Sequence, residues 1–102
     1  MKFILVLQWP GTSEADYNTL LETEEKLEVA LDGHSDVDGH DFGSGEMSIF
    51  VKTDDPNLAL IQVKSLLGES DTWNNLRAAY RAADGEAYTV IWPRSVSGFS
   101  VK

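Results

Sequence analysis

The run Phe3-Ile4-Leu5-Val6-Leu7-Gln8-Trp9 is apolar at both odd and even positions, so as a strand it has little to offer water on either face. That predicts a central strand, ended by Pro10-Gly11. Thr12 and Ser13 stand where a helix cap belongs, and Ser13 with Asp16 fits a weak form of the capping box. Tyr17, Leu20, Leu21, Leu27 and Leu31 then recur along one side of a helix, with Gly33 as its stop.

The period changes after that glycine. Ser35 to Phe42 reads as a weak strand with a glycine inside it, and Glu46 to Thr53 as a strong alternating one. Taking Gly43-Ser44-Gly45 as a three-residue loop pairs Val37 with Val51 and Gly39 with Ile49 on one face. The other face then pairs Asp36 with Lys52, Asp38 with Phe50 and His40 with Ser48. A two-residue turn mixes the two sets, which favours the three-residue loop.

Asp55 caps a helix that Pro56 opens, and this helix reaches about Leu67 and stops at Gly68. Ser70 or Asp71 starts a further helix through Trp73, Leu76 and Tyr80. Asp84-Gly85 then turns into a last strand, Ala87 to Trp92, closed by Pro93.

The order strand, helix, strand, strand, two-part helix, strand resembles the ferredoxin-like split βαββαβ domains. That resemblance is one of topology over residues 1–93, read as a single domain. It implies an α+β two-layer sandwich with a four-stranded antiparallel sheet, the first and third strands central and the helices on one face. Residues 94–102 are left as an irregular C-terminal tail, with Val96 and Phe99 available to pin it to the body.

A length of 102 residues suits one domain with one core. With no cysteine, disulfides, thiolate catalysis and cysteine-ligated metals are excluded, and a reducing cytoplasm is the expected setting. The opening apolar run is short and meets Gln8-Trp9-Pro10-Gly11, so it does not read as a signal peptide or a membrane span. Seventeen acidic against eight basic residues give a net charge of -9, which repels nucleic acid and anionic membrane and steers in a basic protein.

His34, Asp36, Asp38 and His40 fall at every second position and share one strand face. Same-face neighbours stand roughly 6.6 Å apart, so two or three can reach one ion and Glu46 would have to help complete the shell. A charged row on an edge strand also blocks unwanted sheet extension, and no metal or other cofactor is expected. His40 is the one candidate general base, with Asp38 as its same-face partner and Glu46 nearby; Asp41 points to the other side. Gly43-Ser44-Gly45 lacks the helix N-terminus and lysine that a phosphate loop uses. Glu24 interrupts the apolar helix face and must pair with an arginine or tyrosine, reach solvent or serve as a functional group; Arg77 and Arg81, one turn apart on the last helix, are the basic candidates.

Phe50 projects away from Met47, Ile49 and Val51, and with the outward residues of the first strand it makes an apolar patch. A homodimer through that sheet face follows. The chain is therefore expected to be a small acidic binding module of bacterial type rather than an enzyme, acting through Phe50, Trp9, Asp36, Asp38 and Trp92. An inhibitor or immunity protein for a basic partner is one form of it. The alternative is a small dimeric α+β barrel-type enzyme or ligand-binding protein with a pocket containing His40.

Overall fold

The computed structural model describes residues 2–93 except 32, 34 and 69. The expectations about His34 and about the tail 94–102 lie outside the described residues. Among the described residues, strand β1 (Phe3–Pro10) sits at the centre of a five-stranded antiparallel sheet, which with three helices makes a mixed α+β globule. Leu5, Val6 and Leu7 have no exposed surface at all, so both faces of β1 are covered, as the unbroken apolar run requires.

Helix α1 (Glu14–Ala30) begins on the capping box. Asp16 N–H donates to Ser13 Oγ, and the Asp16 carboxylate accepts from the backbone of Thr12 and Ser13. Those two backbone donors hold the Asp16 carboxyl below the usual aspartate value. Leu20, Thr23 and Leu27 face the sheet, and the helix closes at Leu31, two residues before the glycine expected to stop it.

Strands β2 (Ser35–Gly43) and β3 (Glu46–Thr53) form the expected hairpin, with a different turn. Asp36 lies opposite Lys52 and Val37 opposite Val51, as the charge and apolar pairing predicts. The loop, however, has two residues: Ser44 and Gly45 take φ of 56° and 81°, the twist that a tight hairpin needs. The extra residue sits instead in a bulge between Val37 and Gly39, where Gly39 takes φ of 125°. Beyond it the pairing is Gly39 with Phe50, His40 with Ile49 and Phe42 with Met47, so His40 and Phe42 turn to the side that faces the helices.

Helix α2 (Pro56–Leu67) starts on the Asp55 cap, which accepts the Leu58 N–H, and ends at Gly68 as its sequence predicts. Thr53 Oγ1 accepts from Ser35 Oγ and from the Asp55 N–H, tying the sheet to this cap. The next helix, α3, is a single turn, Asp71–Asn74, capped by Ser70 and closed where Asn75 bonds back to the Asp71 carbonyl. The expected continuation through Tyr80 is strand β4 (Arg77–Ala82), and β5 (Thr89–Trp92) is added outside it, giving the order β2-β3-β1-β4-β5.

The alanines and arginines of β4 favour a helix, and tertiary pairing overrides them. A buried central strand must have hydrogen-bond partners on both edges, and β4 supplies six paired residues from Arg77 opposite Gln8 to Ala82 opposite Phe3. Ala78 and Ala79 are fully buried there, Ala78 toward the helices and Ala79 on the opposite sheet face. Arg77 and Arg81 therefore lie on one face of a strand rather than on a helix.

The core joins Leu5, Leu7 and Trp9 of β1 and Met47, Ile49 and Val51 of β3 to Leu20, Leu27, Ala59 and Val63 of the helices. On the opposite sheet face Val6 and Ala79 are fully buried, Gln8 and Ser48 nearly so, and Phe50 is half-buried. No helix among the described residues is long and apolar enough to cross a membrane.

Gly39→Ala adds a Cβ that meets nothing within 4 Å, so its cost is backbone strain alone. The expected loss is about 1–3 kcal/mol in urea unfolding; an unchanged midpoint would show that the bulge does not need its glycine. Asp16 carries a pH signature with a definite sign. Its folded carboxyl titrates below its unfolded value of about 3.9, so it stabilises the fold above that pH and loses the effect as acid protonates it. Between about pH 5 and 2, Asp16→Asn should lose less stability than the native chain. Equal losses would rule this contribution out.

Candidate functional site

The bulge at Gly39 brings His40 under α1, where Glu24 waits on the helix. Both Glu24 carboxylate oxygens lie 3.0 Å from His40 Nδ1. Tyr17 packs edge-on against His40 and Phe42, with centroids 6.1 and 5.3 Å away. Glu24 is thus answered by a histidine of the edge strand and not by an arginine or a tyrosine hydroxyl. With Nδ1 donating to the carboxylate, Nε2 of the neutral ring is the proton-accepting nitrogen. The side chains keep 30% and 15% of their surface, so the pair lies at the surface rather than in an enclosed site.

The other two catalytic candidates are held elsewhere. Asp38 pairs with Lys52 Nζ at 3.3 Å, both about half exposed. Glu46 accepts from the Gln8 amide at 3.0 Å on the sheet face away from the helices. His40, Asp38 and Glu46 do not converge, because the bulge separates His40 from the row it was expected to share. Among the described residues no group of three histidine, aspartate or glutamate side chains is placed to hold a metal ion.

The binding candidates are equally dispersed. Trp9 is 3% exposed and donates its indole N–H to the Thr72 carbonyl at 2.6 Å, a place in the core. Trp92 is half-buried against Trp73, with ring centroids 5.1 Å apart, beside a groove that Ile61 and Lys64 also line. Asp36 is exposed opposite Lys52, and Phe50 lies half-buried between Val6 and Gly39. Arg81 is occupied in the turn after β4, donating to the carbonyls of Ala82, Ala83 and Gly85.

A different surface stands out on the helical layer. All the large apolar side chains left exposed among the described residues belong to α1 and α2: Tyr17, Leu21, Val29, Leu58, Ile61 and Leu66. Val29 keeps 85% of its surface and Ile61 62%. Between the C-terminal halves of the two helices runs a groove of about 470 Å³, lined by Glu22, Glu25, Lys26, Val29, Ala30 and Leu66. Its rim belongs to a helix that carries Glu14, Asp16, Glu22, Glu24, Glu25 and Glu28 against Lys26 as its one cation. Sequence reasoning passed over this surface, although α2 held the signal: a helix apolar on every side, with Lys64 its one charge, normally has every side covered.

Comparison with protein-family models, curated proteins and solved structures finds no match to this chain.

A double-mutant cycle on Glu24→Gln and His40→Ala should give a coupling of about 0.3–1 kcal/mol, the range of a solvent-screened pair. A coupling of several kcal/mol would mark the pair as a structural anchor of the edge strand.

Proposed function

We propose that the chain is a non-enzymatic protein-binding module that recognises a basic partner through the acidic outer surface of α1 and the apolar side chains beside it. One observation carries this reading: Val29 stands 85% exposed on a helix whose charges are otherwise almost all negative. Exposed apolar surface rimmed by charge mostly of one sign is what a recognition site offers, with the charge steering encounter and the apolar area holding the complex. An inhibitor or immunity protein for a cationic enzyme is the form that the net charge of -9 favours.

Of the two partners expected from the sequence, a basic protein is favoured over a second copy meeting through Phe50. Val6 and Ala79 on that sheet face are already fully buried, so less apolar area remains to drive self-association. The alternative enzyme reading keeps only His40, since Asp38 and Glu46 are engaged elsewhere. In fold we read the chain as a ferredoxin-like domain with one added edge strand: the order β2-β3-β1-β4 is that of the split βαββαβ sheet, and β5 extends it. The lack of cysteine supports a cytoplasmic setting.

The chain used as bait in an extract of its source cells, beside Glu22→Gln/Glu25→Gln/Glu28→Gln and Phe50→Asp variants, tests the reading. A basic protein should be retained by the native chain and by Phe50→Asp, released at about 0.5 M salt, and lost with the triple variant. Retention that survives the triple variant but not Phe50→Asp moves recognition to the sheet face and overturns the proposal.

A further inference from the structure

The groove between α1 and α2 limits what can fill it. Its apolar part is Val29, Ala30 and Leu66, and its α1 wall also carries Glu22, Glu25 and Lys26. An occupant has to cover a narrow apolar strip and present positive charge toward α1. A helix with apolar residues at every third and fourth position and lysine or arginine beside them does both, and an extended or irregular segment does not keep that register.

Charge decides between occupants. A second copy related by a two-fold axis would bring the same helix, six acidic residues against one lysine, to the contact twice, so the two copies repel across a desolvated strip. An anionic lipid surface is repelled by the same carboxylates. A cationic partner helix meets no such cost, and it would cover both Val29 and Leu66, which keep 85% and 37% of their surface.

We infer that the α1–α2 groove is the docking site for an amphipathic, cationic helix of the partner protein. The inference rests on the acidic-module reading and adds the element that the partner presents and the place where it lies.

The test uses the whole chain and a labelled leucine-lysine peptide of about 18 residues, five helical turns, with its leucines at helical spacing. A permuted peptide of the same composition, without the apolar stripe, is the control. Fluorescence anisotropy should give about tenfold tighter binding for the striped peptide than for the permuted one. Val29→Ser/Leu66→Ser, which alters no charge, should remove that difference while circular dichroism and unfolding midpoint confirm an intact fold. Phe50→Asp should leave it unchanged. If both peptides bind equally and the serine variant changes nothing, the groove is refuted while the acidic-module reading stands. If neither peptide binds at low salt, that reading falls and the groove with it. Sedimentation of the chain alone as a dimer that the serine variant dissociates would give the groove to a second copy and overturn the inference.

Discussion

Strand β1 has to be buried on both faces and hydrogen-bonded on both edges, and the rest of the molecule is arranged to meet that demand. Leu5, Val6 and Leu7 are inaccessible to water, and burying side chains of this size contributes about 1.5–3 kcal/mol each. That contribution survives only if the backbone groups of β1 are paired, since an orphaned buried amide costs a comparable amount. Strand β3 pairs along one edge and β4 along the other. The demand on the second edge turns Arg77–Ala82 into a strand against its own helical preference, and it leaves α3 as one turn.

A smaller constraint sets the geometry of the edge. The turn at Ser44-Gly45 adopts the tight form, and the residue left over is absorbed at Gly39, a glycine inside β2 that takes φ of 125° without strain. That single insertion reverses every side chain from His40 to Phe42 relative to the expected register. It delivers His40 to Glu24 and sends Asp38 to Lys52, so a row that looks continuous in the sequence becomes two separate side-chain pairs on different sides of the strand.

Much of the fold was legible because its signals were local. The capping box at Ser13, the Asp55-Pro56 helix start, the stop at Gly68 and the charge pairing of Asp36 with Lys52 depend on a few adjacent residues or one facing pair. What was not legible depends on the whole sheet. Arg77 to Ala82 reads as helix until β1 is seen to lack a neighbour, and a bulge cannot be told from a longer turn by counting residues between strands. Glu24 was visible as an anomaly on an apolar helix face, but its partner depended on the bulge. Val29 lies off the helix face that Tyr17, Leu20, Leu21, Leu27 and Leu31 mark, and Ile61 belongs to a helix apolar all round, so neither stands out locally, while here the helices carry more apolar side chains than the sheet can cover.

That surplus on the helical layer, set against six acidic residues and one lysine along α1, is the physical basis for reading the chain as a recognition module. Chemical-shift mapping of the backbone amides on adding a cationic amphipathic peptide measures it most directly. The account predicts perturbations concentrated between Glu22 and Ala30 on α1 and around Leu66 on α2, with the sheet largely silent. Perturbations centred on His40 and the β2–β3 hairpin, with α1 and α2 unaffected, would contradict it.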